Sequence, residues 1–152
     1  MPTSPVRAVT VSHHVPAPAP EVLAFISDTR NDPLWCPNVD TAELTSDGPV
    51  GIGSTFRYTQ HLDRPGRGRM HFDGDVEIVG LDDRSVTWSV VDKFQERTIT
   101  CVVEPKVDGS IVTQTTVAGF HRSPGLARYL YPLFARRTLR DQLRHLSSHF
   151  AG

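Results

Sequence analysis

The chain has 152 residues, a hydrophobic fraction of 38% and a formal net charge of -1 at pH 7. This length is typical of one globular domain with a sizeable core, so we expect residues 1–152 to form a single domain with residues 1–5 frayed. The composition argues against a disordered chain and against a surface built to bind nucleic acid.

Alternating apolar residues predict a first strand over residues 7–15. The proline-rich segment 16–20 is a stiff connector, and Pro20 suits the first turn of a helix because its missing N–H costs nothing there. That helix carries an apolar stripe through Ile26 and ends near Asp28. Residues 31–37 can hold one more short turn, with Pro33 at its start.

Six more strands are predicted, over residues 39–45, 54–62, 69–81, 85–91, 95–104 and 110–119. The alternation is cleanest in 69–81, which predicts a strand with one buried face. Turn residues at 63–66 and 108–109 join neighbouring strands as hairpins. Seven strands linked in this way indicate a mostly antiparallel sheet and an α+β architecture.

A long amphipathic helix is predicted to close the chain over residues 124–150, with Ser123 as N-cap and Pro124 as its first residue. We expect its apolar residues to form one buried stripe: Leu126, Leu130, Leu133, Phe134, Leu139, Leu143, Leu146 and Phe150. A sheet followed by a single long helix tends to wrap around that helix. An incomplete wrap leaves a cavity.

This order of elements resembles the START/Bet v 1-like (SRPBCC) superfamily, and within it the polyketide cyclase/dehydrase and lipid-transport group. The resemblance rests on the strand and helix of 14–26, the Asp-to-Trp segment of 28–39, the Gly-x-Gly entry at 51–57 and the last helix. It implies a helix-grip fold, with about seven antiparallel strands wrapped around the C-terminal helix and two short helices after the first strand. It covers nearly the whole chain, but this fold hosts many functions.

In that superfamily the concave face of the sheet and the last helix line a cavity. Strand phase then implies a set of ligand contacts: Trp35, Phe56, Gln60, Phe72, Trp88, Thr116, Leu130, Leu133 and Phe134. Aromatic side chains suit a flat or long apolar ligand because each offers a large area and a π face. For Phe56, Phe72 and Trp88 a plain core role stays open.

Three polar residues share a strand face with apolar neighbours and are the candidate catalytic groups: Arg97, Tyr58 and Gln114. Burying such groups without partners costs about 1–3 kcal/mol each, so an inward position would indicate a function. An inward Arg97 could stabilise an enolate or phenolate oxygen during ring closure. Its alternative is a strand-end residue that reaches solvent or pairs with Asp92. Tyr58 could donate a proton or be an ordinary core residue.

The resemblance implies a polyketide cyclase/dehydrase-type enzyme of secondary metabolism that needs no cofactor and acts on a hydrophobic, oxygenated small molecule. The alternatives are a non-catalytic carrier or sensor of a hydrophobic ligand, and a protein-interaction module. We expect a cytoplasmic protein without a membrane span, because no apolar stretch approaches ~20 residues and no signal peptide is visible. A homodimer is left open.

No metal site is predicted. Cys36 and Cys101 have no nearby cysteine partner, and we expect both to be free thiols. His61 and His71 are expected to face each other across a hairpin, as a solvated pair or as two ligands lacking a third. His145 and His149 are more consistent with a polar helix face than with a chelate.

The basic residues are unevenly distributed, with 14 Arg against 2 Lys. Six arginines lie on or just before the last helix: Arg122, Arg128, Arg136, Arg137, Arg140 and Arg144. They form either a solvated face or a basic rim that attracts an anionic ligand or partner.

Overall fold

The computed structural model describes residues 4–5, 8–121 and 127–152. Within these ranges the chain forms eight strands, two α-helices and a 3-10 helix (Thr29–Leu34) between α1 and β3. Their bounds are β1 Ser4–Pro5, β2 Val9–Val15, α1 Ala19–Ser27, β3 Val39–Leu44, β4 Thr55–Arg64, β5 Gly68–Leu81, β6 Ser85–Asp92, β7 Gln95–Lys106, β8 Gly109–Phe120 and α2 Ala127–Ala151. The seven strands and two short helices expected from the sequence are present.

The strands form one antiparallel sheet in the order β8-β7-β6-β5-β4-β3, with β1 and β2 paired to the other edge of β8. Of the segment 1–5 that is expected to be frayed, residues 1–3 lie outside the described residues, and Ser4 and Pro5 pair with Phe120 and Gly119 as β1. Consecutive strands from β3 to β8 are neighbours, joined by short hairpins except for the longer connection 45–54 between β3 and β4.

The segment between β2 and β3 carries the chain from one edge of the sheet to the other. Pro20 occupies the first turn of α1, as predicted. Asp28 ends α1 and caps the 3-10 helix, because its carboxylate accepts hydrogen bonds from the Arg30 backbone N–H (3.1 Å) and side-chain Nε (2.9 Å). These two hydrogen bonds stabilise the sharp change of direction that places the 3-10 helix next to β3.

The apolar core fills one end of the space between the sheet and the helices. Fully buried residues there come from opposite sides: Phe56, Ile78, Val86, Val103 and Val112 from the sheet, and Val22, Ile26, Leu143 and Leu146 from the helices. On α2 the buried positions Leu139, Leu143 and Leu146 follow the i, i+4, i+7 spacing of a single helix face. The C-terminal half of α2 therefore closes this end.

The N-terminal half of α2 departs from the predicted stripe. Leu130, Leu133 and Phe134 are 40%, 68% and 61% exposed. At 3.6 residues per turn, Leu130 and Leu133 lie roughly 180° and 120° around the helix from Leu139, so they cannot share its buried face. The predicted start at Ser123 and Pro124, and Leu126, lie outside the described residues. No helix within the described ranges is both long enough and apolar enough to cross a membrane.

The uneven burial of α2 predicts a large difference between two leucine truncations. Leu143→Ala removes a side chain with no exposure and should lower the free energy of unfolding by about 2–5 kcal/mol. Leu133→Ala, at an exposed position of the same helix, should change it by less than about 0.5 kcal/mol. Urea unfolding followed by circular dichroism measures both, and equal losses would contradict the observed packing of α2.

Candidate ligand-binding cavity

A cavity of about 360 Å³ lies between the sheet and the N-terminal half of α2, beyond the core. Strands β4 to β8 supply most of its wall, the 3-10 helix and the residues after it supply one side, and Tyr131, Phe134, Ala135 and Thr138 of α2 cover it. This volume falls within the usual range of small-molecule sites, and an apolar lining with a few polar groups is typical of them.

Most of the site residues expected from the sequence border this cavity: Trp35, Tyr58, Gln60, Phe72, Trp88, Arg97, Gln114, Thr116 and Phe134. Leu130 and Leu133 do not, because α2 turns them away from the sheet. Phe56 does not border it either, although it has the same strand phase as Tyr58. It lies nearer the closed end of the sheet, is 1% exposed and packs in the core, so the core alternative holds there.

Arg97, Tyr58 and Gln60 form a hydrogen-bonded group on the concave face of the sheet. Arg97 Nη2 donates to the Tyr58 hydroxyl oxygen at 3.1 Å, and Gln60 Nε2 donates to the same oxygen at 3.3 Å. A phenol oxygen can accept two hydrogen bonds and donate one. Both acceptor positions are occupied by these donors, and the buried Asp92 carboxylate acts on the Tyr58 hydroxyl as a hydrogen-bond acceptor.

Asp92 supplies negative charge beside this group. Its side chain has no exposure, Oδ1 accepts hydrogen bonds from the backbone N–H groups of Phe94 (2.8 Å) and Gln95 (3.1 Å), and Oδ2 lies 3.8 Å from Arg97 Nη2. Arg97 therefore fits both alternatives considered for it, since its side chain borders the cavity and also approaches Asp92. Burial, with Asp92 nearby, raises the pKa of Tyr58 against the opposing effect of Arg97.

Gly74 makes room for this arrangement. Tyr58, Gly74 and Asp92 are directly paired across β4, β5 and β6, so they form one row on the concave face. The Tyr58 ring lies across Gly74, where any added Cβ would overlap the ring carbons and the hydroxyl oxygen. The absence of a side chain at residue 74 lets the phenol extend along the row toward Arg97.

Buried polar atoms without hydrogen-bond partners are concentrated at the cavity. Eight such side-chain atoms occur in the described part of the chain, and all except Asp92 Oδ2 belong to cavity-lining residues: Asp32, Trp35, Trp88, Gln95, Arg97, Gln114 and Thr116. Native proteins contain only a few of these atoms, since each costs about 1–3 kcal/mol if it stays unpaired. The cavity is therefore provided with donors and acceptors for a bound molecule.

Asp32 is a further ionisable group at the cavity, contributed by the 3-10 helix. Burial raises the pKa of Asp32 to about 8 against the opposing effect of the Trp35 indole N–H, and the negative charge of Asp28 also raises it. Asp32 and Asp92 were not among the site residues predicted from the sequence. An acid three residues before the pocket-facing Trp35 was a usable signal, but strand phase gives no information about a 3-10 turn.

Cys36 and Cys101 are free and buried, as expected. Burial and the nearby Asp32 carboxyl raise the pKa of the Cys36 thiol, which makes it a poor nucleophile although it borders the cavity.

His61 and His71 are directly paired across β4 and β5, as predicted, and Asp40 lies between their rings. The Asp40 carboxylate is 2.8 Å from His61 Nδ1 and 3.4 Å from His71 Nδ1, and these imidazoles lower its pKa. No group of three or more His, Cys, Asp or Glu in the described ranges is placed to hold a metal ion.

Comparison with known proteins places the chain in a family. Residues 7–151 match the model of the family "Polyketide cyclase / dehydrase and lipid transport", and the chain belongs to that family, within the START/Bet v 1-like superfamily. No functionally curated protein matches it.

Solved structures share its helix-grip fold at low sequence identity. Ginseng major latex-like protein 151 from Panax ginseng is 18% identical, with a TM-score of 0.69 over 95% of this chain and 97% of that one. A START superfamily protein from Mycobacterium smegmatis is 13% identical, with a TM-score of 0.69 over 95% and 97%. The di-domain ARO/CYC StfQ from the steffimycin biosynthetic pathway is 15% identical, with a TM-score of 0.70 over 97% of this chain and 51% of that one.

The contact between Gly74 and the Tyr58 ring predicts that substitutions at these two positions have coupled effects on the free energy of unfolding. Gly74→Ala should lower the free energy of unfolding by about 1–3 kcal/mol, because the new methyl group overlaps the Tyr58 ring. In a Tyr58→Ala background the same substitution should be close to neutral, so a double-mutant cycle isolates the overlap. Gly80→Ala is the control, since its Cβ would meet Thr87 at an ordinary 3.4 Å. An equal loss with and without the ring would contradict this geometry.

The raised pKa of Asp32 predicts a pH dependence of stability. Between about pH 5 and pH 8 the unfolded chain releases the Asp32 proton while the folded chain keeps it, so Asp32 makes the folded state less stable as pH rises. Asp32→Asn removes this titration. The stability of Asp32→Asn relative to wild type should therefore grow across that interval in thermal unfolding, and a constant difference would refute the shifted pKa.

Proposed function

We propose that the protein binds a hydrophobic, oxygenated small molecule in this cavity and acts on it as a cofactor-free enzyme of the polyketide cyclase/dehydrase type. The observation that carries the proposal is the group of unpaired buried polar atoms around an otherwise apolar cavity. A purely apolar ligand would leave those atoms unpaired. An oxygenated ligand gives them partners.

The same observation favours an enzyme over a passive carrier. A carrier functions with an almost wholly apolar lining, whereas this lining includes a guanidinium from β7, a phenol from β4 and carboxamides from β4 and β8. An interaction module would be supported by the exposed Leu133 and Phe134 beside the arginines of α2. It would not explain a cavity of about 360 Å³ that is provided with unpaired donors and acceptors.

Arg97 and Tyr58 fit the needs of an aldol-type ring closure. When the enol carbon of a 1,3-dicarbonyl unit attacks a carbonyl carbon of the same molecule, a carbon–carbon bond forms and negative charge moves onto the attacked carbonyl oxygen. The enol hydroxyl becomes a carbonyl and releases one proton, and the attacked oxygen takes up one, so the ring closure exchanges no net proton. The Arg97 guanidinium stabilises that charge. The Tyr58 hydroxyl, which accepts a hydrogen bond from Arg97, is the proton donor, and it exchanges its contact with Asp92 for one with the substrate oxygen. Gln114, with its unpaired Oε1, orients a hydroxyl of the substrate.

The shape of the cavity supplies the other part of the catalysis. Trp35, Phe72 and Trp88 border it, and their faces restrict a flexible chain to few conformations. Holding the two reacting carbons close together lowers the entropic part of the activation barrier, which is high for cyclisation of a free chain. Loss of water from the ring then follows when the ligand gains aromaticity.

Native mass spectrometry of protein purified from an extract of its own host tests this function. Wild type should retain an oxygenated polycyclic or polyketone species, and Arg97→Ala should lose at least about 90% of it, since one charge-assisted hydrogen bond is worth about 1.5–3 kcal/mol. Arg57→Ala is the control, because Arg57 is an exposed arginine of the same sheet outside the cavity. Incubation of the released species with wild type should yield products lighter by whole water molecules.

Two other outcomes separate the alternatives. A fatty acid retained equally by wild type, Arg97→Ala and Arg57→Ala would identify a carrier and remove Arg97 from the mechanism. An oxygenated ligand that is bound through Arg97 but never converted would retain the binding part of the proposal and reject the enzyme.

A further inference from the structure

Asp32 is separate from the group formed by Arg97, Tyr58 and Gln60. It projects from the 3-10 helix, whereas the other three side chains rise from the sheet. No hydrogen bond or ion pair within the described residues joins Asp32 to that group. The polar groups of the cavity therefore come from two different elements, the 3-10 helix and the sheet, within one lining that also includes apolar side chains.

The Asp32 backbone is firmly held, and its carboxyl lies beside the indole of Trp35. The Asp32 carbonyl oxygen accepts hydrogen bonds from the backbone N–H groups of Trp35 (3.1 Å) and Cys36 (2.7 Å). The Trp35 indole N–H acts to lower the pKa of the Asp32 carboxyl, but Asp32 Oδ1 and Trp35 Nε1 are both buried without a close hydrogen-bond partner in the described part of the chain. A fixed backbone with an unpaired polar side chain in a cavity is the arrangement expected of a ligand contact.

Among the described residues, no cation forms an ion pair with this carboxyl. The nearest basic residue in the sequence, Arg30, is engaged by Asp28 at 2.8 Å. The ionisable group that acts on Asp32 is Asp28, which is negative, whereas the charge of Arg97 acts on the neighbouring thiol of Cys36. Burial consequently raises the pKa of Asp32 to about 8, so the carboxyl keeps its proton at neutral pH and has an O–H to donate.

We propose that Asp32 is a specificity-determining ligand contact, whose carboxyl donates a hydrogen bond to a neutral carbonyl or hydroxyl oxygen of the molecule bound at Arg97. This inference rests on the proposed function and narrows its substrate class. The ligand carries at least two oxygen functions, an acidic one at Arg97 and a neutral acceptor at Asp32, on an apolar frame. A fatty acid has only the first, whereas a cyclised or folded polyketone has both.

Two uncharged probes of nearly equal shape test this inference: methyl β-naphthyl ketone, which has an acceptor oxygen, and β-ethylnaphthalene, which has none. Neither ionises, so any pH dependence in their relative affinities belongs to the protein. Their dissociation constants are measured by quenching of tryptophan fluorescence, since Trp35 and Trp88 border the cavity. Wild type at about pH 6 should bind the ketone roughly tenfold more tightly than the hydrocarbon.

That preference should depend on Asp32 in two ways. In wild type it should fall as pH rises from about 6 to about 10, because the carboxylate formed near pH 8 has no proton to donate, and only donors such as Arg97 then favour the ketone. Asp32→Asn should keep the full preference at both pH values, because the amide still donates, whereas Asp32→Leu should show the reduced preference at both. The wild-type pH series needs no variant, so poor folding of Asp32→Leu does not prevent the test.

The outcomes that overturn the inference are distinct from those that overturn the proposed function. If both probes bind wild type and the preference is absent, or is unchanged by pH and by Asp32→Leu, Asp32 is not the contact although the cavity still binds ligands. If neither probe binds wild type, the cavity does not accept aromatic ligands. The proposed function then fails, and the role of Asp32 fails with it.

Discussion

The architecture depends on α2 packing along only part of its length. The stripe of Leu139, Leu143 and Leu146 belongs to the apolar core that joins α2 to the sheet, and it closes one end of the concave face. Toward the N-terminus of α2 the same face continues with Ala135 and Tyr131, which border a cavity. Dispersion contacts therefore anchor the helix at one end, and the cavity lies at the other.

The open end tolerates polar residues that a filled core would not. Arg97, Tyr58 and Gln60 satisfy one another in part, and the buried Asp92 balances the charge of Arg97 at 3.8 Å. The remaining donors and acceptors stay unpaired around the cavity, which weakens the fold by an amount that the closed apolar end must offset. Unpaired groups of this kind are typical of sites that give up stability for binding or catalysis.

Arg97 and Asp32 favour different oxygen functions of a bound molecule. The guanidinium of Arg97 favours negative charge on oxygen, whereas the protonated carboxyl of Asp32 favours a neutral acceptor. Their environments differ because Arg97 approaches the buried carboxylate of Asp92, whereas Asp32 lies near the indole of Trp35 and the negative charge of Asp28. Such a division orients a bound molecule in one sense along the cavity, and its reacting atoms are placed accordingly.

The sequence by itself determined the elements and their order, because strand alternation, hairpin turns and the Pro20 helix start are local signals. It also indicated the inward faces of β4, β7 and β8, and so the positions of Tyr58, Arg97 and Gln114 beside the cavity. Only the tertiary structure decided where the core ends and the cavity begins, which separates Phe56 from Tyr58 on the same strand face. It also decided that Leu130 and Leu133 face outward and that Asp32 faces inward, since these depend on how α2 and the 3-10 helix pack against the sheet rather than on any local pattern.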